Sequence, residues 1–208
     1  MRAFRTIAAV VAWAGLALQY ALMVQSQPLD EALRRTGNFV SYFTILSNIL
    51  AALALTAPLV APQGALRRFF ERPSVRTAVT LYTTVTAATY IAVLQRLWNP
   101  QGAQWAADTT LHYAMPALML IDWLIFTQRG ALGWRSVIPW LAFPLGFGVY
   151  TMIRGPLTGF YPYPFLDVVS LGFGAVLVNM AAMSAVFIAL GLIFVLIDRQ
   201  LARRSQAR

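Results

Sequence analysis

The chain is predicted to be all-α and polytopic: a single domain over 1–208 in which six transmembrane helices form a bundle with both termini cytoplasmic. Three observations predict this. Hydrophobic residues make up 59% of the sequence and charged residues 11%, with a mean hydropathy of +0.65, which leaves too little polar surface to cover a water-soluble globule of 208 residues. The apolar residues gather into six runs of roughly the 20 residues needed to cross a bilayer. Finally, all sixteen basic residues are arginine, and they sit between those runs with a one-sided bias.

The expected spans are 6–24, 39–60, 75–97, 109–127, 136–152 and 171–197. The first follows Arg2 and Arg5, as a signal peptide would, but its apolar run is long and no small-residue cleavage site precedes a polar start, so it is expected to be retained. Span two carries Ser41, Thr44, Ser47 and Asn48. In span three Thr77, Thr80 and Thr84 fall at helical spacing, as do Ala181, Ala185 and Ala189 in span six; such small-residue stripes predict close helix packing. Span four holds His112, Pro116 and Asp122. Pro139, Pro144, Gly146 and Gly148 predict a broken span five that could frame a cavity. Span six is overlong and must tilt or protrude, and its Asn179 is expected to bond a neighbouring helix. The loops are rich in Pro, Gly and Arg, and none is long enough to hold a second domain.

Orientation follows from the arginines. Twelve fall on one side, at 2, 5, 67, 68, 72, 76, 129, 135, 199, 203, 204 and 208, whereas only Arg34, Arg35, Arg96 and Arg154 fall on the other. The arginine-rich side is expected to be cytoplasmic, and the loops after spans one, three and five outward. The formal charge of +9 is thus accounted for by membrane topology, and no nucleic-acid partner is implied. With no cysteine, disulfides, thiolate nucleophiles and iron–sulfur clusters are excluded, and a single histidine excludes a multi-histidine metal site; no metal or organic cofactor is implied.

The stretch 108–126, DTTLHYAMPALMLIDWLIF, carries two ionisable groups at membrane depth, His112 and Asp122. Such a group costs ~2.5–3.5 kcal/mol even on lenient insertion scales, which makes each a functional candidate. Pro116 cannot donate to the carbonyl of His112, so a kink is expected beside the imidazole. Ser41, Thr44 and Asn48 share one face of span two. Counted from the expected outer ends at 39 and 109, Thr44 and His112 both lie roughly 4–8 Å deep at 1.5 Å per residue, in one layer. A hydroxyl beside a neutral imidazole, whose ordinary pKa is ~6.5, is the minimal nucleophile and base pair for attack on a carbonyl. Asp122 is a poor orienter for the ring, being ~15 Å along the helix and about 80° off the His112 face; a buried structural acid paired with Arg or Tyr suits it better. Asp108, one turn before His112, is the better candidate, with Asn48 and Asp167 as alternatives.

Tyr42-Phe-Thr-Ile-Leu-Ser-Asn48, Leu111-His-Tyr-Ala-Met-Pro116 running into Asp122-Trp123, and Tyr161-Pro-Tyr-Pro-Phe-Leu-Asp167 together resemble the bacterial branch of the androgen-induced, FAR-17a-like family of six-span membrane proteins. The resemblance covers essentially the whole chain. Animal members are threonine hydrolases of fatty acid esters of hydroxy fatty acids, and by position their Thr and His correspond to Thr44 and His112. The resemblance therefore implies a lipid ester hydrolase of the cell membrane, a bacterial inner membrane, acting on a fatty acyl ester that enters from the outer leaflet. Phe43 before the threonine and Ile-Leu-Ser after it depart from the animal pattern, which bears on the substrate. The alternative expectation is a small proton-coupled transporter with His112, Asp122 and Asn48 along its path, or a non-catalytic membrane binding protein.

Overall fold

The computed structural model describes residues 1–60 and 63–206, with side chains as far as 204. Among these residues there are no strands, and six helices are long and apolar enough to cross a membrane: Arg2–Val24, Phe43–Val60, Pro73–Leu94, Gly102–Phe126, Trp134–Thr158 and Phe173–Arg204. The all-α polytopic bundle is thus the observed architecture. An even number of crossings leaves both ends of the chain on the same face.

Helix α1 (Arg2–Val24) buries a narrow stripe of Arg5, Ala8, Ala9, Ala12, Gly15 and Leu16, whose small side chains let it lie close against α3 (Phe43–Val60). Gly15 is required at its position: a Cβ there would stand 2.6 Å from Thr110 Cγ2. Between these two spans lies α2 (Leu29–Phe39), which was expected as loop. It forms because Asp30 and Glu31 occupy its first turn, where they favour the helix dipole, and because the Glu31 carboxylate binds both Arg34 and Arg35 within one turn. Span two consequently begins at Phe43 and not at 39, after a break in which the Ser41 hydroxyl bonds back to Gly37 O.

A short helix, α4 (Ala65–Phe70), leads into α5 (Pro73–Thr89), which packs on α3 and ends in a π-helical turn, Tyr90–Leu94. The threonine stripe of α5 is indeed internal: Thr77 and Thr80 are buried, and Thr77 accepts from Trp123 Nε1 at 2.8 Å. Span four starts seven residues earlier than expected. It comprises α6 (Gly102–Thr109), a second π turn (Thr110–Ala114) and α7 (Met115–Phe126). The disturbance that Pro116 predicts takes the form of this π turn, in which Met115 N reaches back to Thr110 O.

Span five is broken as expected, into α8 (Val137–Trp140) and α9 (Ala142–Thr158). Pro144 has no N–H for the carbonyl of Trp140, and that carbonyl instead accepts the Tyr82 hydroxyl at 2.8 Å. Gly159, at φ +69, stops α9 in the left-handed conformation, and a one-turn α10 (Val168–Leu171) precedes α11 (Phe173–Gln206). Helix α11 buries Val176, Phe187, Phe194 and Val195, whereas Ala181, Ala185 and Ala189 face outward. These larger side chains, with Gly191 lying close against Val137 of α8, form the inward face, so the expected alanine stripe is not the packed face. Asn179 bonds Phe165 O at 2.9 Å, in the preceding loop and not in another helix.

The core divides into two apolar clusters on either side of α3. One joins α1, α3 and the 111–119 stretch, and the other joins α5, α8, α9 and α11 around Phe43. Near the arginine-rich end, Asp122 links three spans: its carboxylate accepts from Arg5 Nε at 2.7 Å and from Arg76 Nη1, and all three side chains are buried. Arg5 and Arg76, counted above as loop charges, are therefore internal ion-pair partners.

Candidate functional site

The start of α3 positions Thr44. Because Thr44 lies in the first helical turn, its N–H has no acceptor within the helix; it donates to the Tyr163 hydroxyl at 3.1 Å. Its carbonyl is fixed by Asn48 Nδ2 at 2.8 Å and by Ser47 Oγ at 3.1 Å, and Ser47 in turn meets Thr86 Oγ1 at 3.0 Å. The side-chain oxygen of Thr44 is left facing two groups, His112 Nε2 at 3.4 Å and the Tyr163 hydroxyl at 3.3 Å.

The second π turn positions His112. Its Nδ1 lies 3.0 Å from Asp108 O and 3.2 Å from Asp108 Oδ1. Both are acceptors, so Nδ1 carries the proton and the lone pair on Nε2 faces the Thr44 hydroxyl. Tyr90, from the other π turn, lies flat on the imidazole at 3.9 Å between ring centroids and 18° between planes, and its hydroxyl donates to Asp108 Oδ2. The ring is therefore held on one face and at one nitrogen. Asn48 joins the two halves: its Nδ2 also donates to Leu111 O at 3.1 Å, beside His112, while its buried Oδ1 has no partner.

The segment after Gly159 positions Tyr163. It opens the short turn Pro164–Leu166 and stacks its ring parallel to Phe165, with centroids 5.2 Å apart. Burial pushes its phenol up to about 12, although the bond to Thr44 acts in the opposite direction.

Two cavities meet at Thr44. The larger, about 520 Å³, is bounded by His112, Asp108 and Tyr90 and by the polar side chains of Gln19, Arg35 and Gln104. The smaller, about 80 Å³, runs between α5, α9 and α11 and is walled mainly by apolar groups such as Phe147, Met180, Met183 and Phe187. Thr44 and Tyr163 line both.

Of the residues singled out from sequence, Thr44, His112, Asp108 and Asn48 come together, and Asp122 and Asp167 do not join them. Asp122 has both carboxylate oxygens committed to arginines. Asp167 caps α10, accepting from the Ser170 hydroxyl, which does most to hold its carboxyl below the usual range, and from Ser170 N and Val169 N. The helix starts used to place Thr44 and His112 at one depth were wrong in opposite directions, Phe43 replacing 39 and Gly102 replacing 109. The residues meet nonetheless because α6 extends beyond the start of α3. Tyr90 and Tyr163 were missed. Tyr163 lies within the Tyr-Pro-Tyr-Pro-Phe-Leu-Asp stretch already marked as distinctive, whereas Tyr90 follows Thr-Ala-Ala-Thr and carries no comparable signal.

The arrangement offers a hydroxyl able to pass its proton to an oriented imidazole, with a carboxylate behind it, a nucleophile–base–orienter series. Among the described residues no three His, Asp or Glu side chains converge as metal ligands would. No protein-family model, curated protein or solved structure matches the chain.

Proposed function

We propose that this protein is a multi-pass membrane hydrolase of fatty acyl esters, with Thr44 as nucleophile and His112 as general base and then acid. The observation that carries the reading is the series Thr44 Oγ1, His112 Nε2 and Asp108, set where a larger cavity of mixed lining and a narrow apolar one share a wall. An ester is a group with two unlike arms. The larger cavity takes most of the ester, and the narrow apolar one takes a few carbons of the other arm, which brings the carbonyl carbon to the threonine between them.

Thr44 Oγ1 bonds to the carbonyl carbon as His112 Nε2 takes its proton, and the carbonyl π electrons move to oxygen. Asp108 steadies the imidazolium through Nδ1. When the intermediate collapses, the alcohol oxygen leaves with its bonding electrons and takes the proton from Nε2, leaving an acyl-threonine. Water, deprotonated by the same nitrogen, then attacks the acyl carbon and releases the carboxylic acid with Thr44 restored. The Thr44 to His112 distance of 3.4 Å is long for a hydrogen bond and is of the kind that tightens once substrate excludes water.

The resemblance of the Thr44 and His112 motifs to the androgen-induced, FAR-17a-like family supports the same reading, and the proposed location is a bacterial cell membrane with the arginine-rich face inward. The carrier alternative needs ionisable groups free to exchange protons at successive depths, and both Asp122 oxygens are engaged by Arg5 and Arg76. The test is labelling of the purified protein with a fluorophosphonate bearing a long alkyl chain. Thr44 is the expected site of adduct, identified by peptide mass, and Thr44→Ala abolishes labelling; adduct formation that persists in Thr44→Ala disproves the assignment.

A further inference from the structure

The series above accounts for the nucleophile and the base but leaves the developing negative charge on the carbonyl oxygen without a partner. In hydrolysis of this kind that charge is met by hydrogen-bond donors already in place, and removing one costs about 10²–10³ in kcat. Candidate donors must lie close to the nucleophile oxygen, stay protonated and border the space that the ester occupies. The Tyr163 hydroxyl lies 3.3 Å from Thr44 Oγ1 and borders both cavities. Its oxygen already accepts the Thr44 N–H, and because the Thr44 hydroxyl donates to His112, the Tyr163 O–H points at Thr44 Oγ1, beside the place the ester's carbonyl oxygen takes; accepting one hydrogen bond strengthens the one it donates.

Resting on the reading of Thr44 as nucleophile, we infer that Tyr163 is a further catalytic residue, whose O–H donates to the carbonyl oxygen of the ester as it becomes an oxyanion. An oxyanion bonded to the same carbon as Thr44 Oγ1 falls within hydrogen-bonding reach of a hydroxyl at that distance. Burial keeps the phenol protonated through the neutral range, as a donor must be. Neighbouring side chains hold the ring in place: Phe165 stacks on it, and Tyr42 and Phe147 pack around it. No proton leaves Tyr163 during the cycle; its hydrogen bond shortens as charge grows on the carbonyl oxygen and relaxes when the alcohol departs.

The experiment compares a long-chain oxyester with its thionoester, in which sulfur replaces the carbonyl oxygen and accepts hydrogen bonds poorly, using the full-length protein, Tyr163→Phe and Thr44→Ala. Tyr163→Phe is expected to lower kcat on the oxyester by about 10²–10³ with KM little changed. It should lower the thionoester rate far less, so that the preference for oxygen over sulfur shrinks. Equal losses on both substrates would make Tyr163 a packing residue and overturn the proposal. A full oxyester rate in Tyr163→Phe, with Thr44→Ala inactive, would also overturn it while leaving Thr44 as nucleophile, whereas an active Thr44→Ala would remove the reading on which it rests. Should Tyr163→Phe fail to fold, 3,5-difluorotyrosine placed at 163 keeps the hydroxyl but makes it more acidic. The alkaline limb of the pH–rate profile should then move to lower pH, and an unmoved limb would count against the donor role.

Discussion

At the scale of single side chains, the threonine hydroxyl can be separated from the threonine shape. Thr44→Val is nearly isosteric but has no proton to give, and Thr44→Ser keeps the hydroxyl in a smaller side chain. Ester hydrolysis is expected to fall by orders of magnitude in Thr44→Val and to persist in part in Thr44→Ser, measured on protein of unchanged melting temperature. Because a nucleophile and its base act as one unit, Thr44→Ala, His112→Ala and the double variant should show similar residual rates. Wild-type turnover in Thr44→Val would transfer the chemistry elsewhere. Asp122 is expected to behave differently. Taking one partner from a buried ion pair costs about 3–5 kcal/mol, because the remaining charges stay buried without compensation. Asp122→Asn should therefore lower the melting temperature or the yield, and whatever protein survives should keep most of its turnover. A stable, inactive Asp122→Asn would refute this division of roles.

At the scale of helices and turns, α2 gives a pH-dependent prediction. The hydrogen bonds from Arg34 and then Arg35 lower the Glu31 carboxyl from an ordinary 4.5 to about 2. A depressed folded-state value contributes stability above the unfolded value, and that contribution is lost as pH falls from about 4.5 towards 2. Cleavage within α2 by an acid-tolerant protease should thus be faster in Glu31→Gln than in the wild type at neutral pH, and the difference should vanish near pH 2. No difference at neutral pH would mean that α2 is held by packing alone. This helix also marks where the sequence was hard to read. Apolar spans announce themselves by hydropathy, whereas Leu29–Phe39 is short and amphipathic with a polar average, and it owes its form to charge placement. The early start of span four was hidden for the same reason, since Gln101 and Gln104 dilute the apolar signal just where α6 begins. Asp108 could be placed beside His112 because four residues along a helix make just over one full turn. The contacts of Tyr90 and Tyr163 with the site join distant parts of the chain, and no local spacing encodes them.

At the scale of the whole molecule, the bundle fixes the parity of the ends but its orientation rests on arginine placement. A reporter fused after Arg204 and another inserted beside Gly102 are expected to report opposite sides of the membrane, the first cytoplasmic. The same side for both would be incompatible with six crossings. The internal bridge between Arg5, Asp122 and Arg76 also bears on the order in which the protein is made. Its two cations belong to spans one and three and its acid to span four, so the guanidiniums are synthesised before the carboxylate that holds them together. Glu71 reaches Arg5 at 3.7 Å but already serves Arg67, and among the described residues Arg76 has no other acid within ion-pair distance. A nascent chain halted after span three would therefore carry two like charges where the arginine-rich ends of α1 and α5 come together, with Glu71 beside Arg5 and the Asp122 carboxylate still to come. The span that brings this carboxylate also brings His112, so one segment both bridges α1 to α5 and supplies the second half of the site.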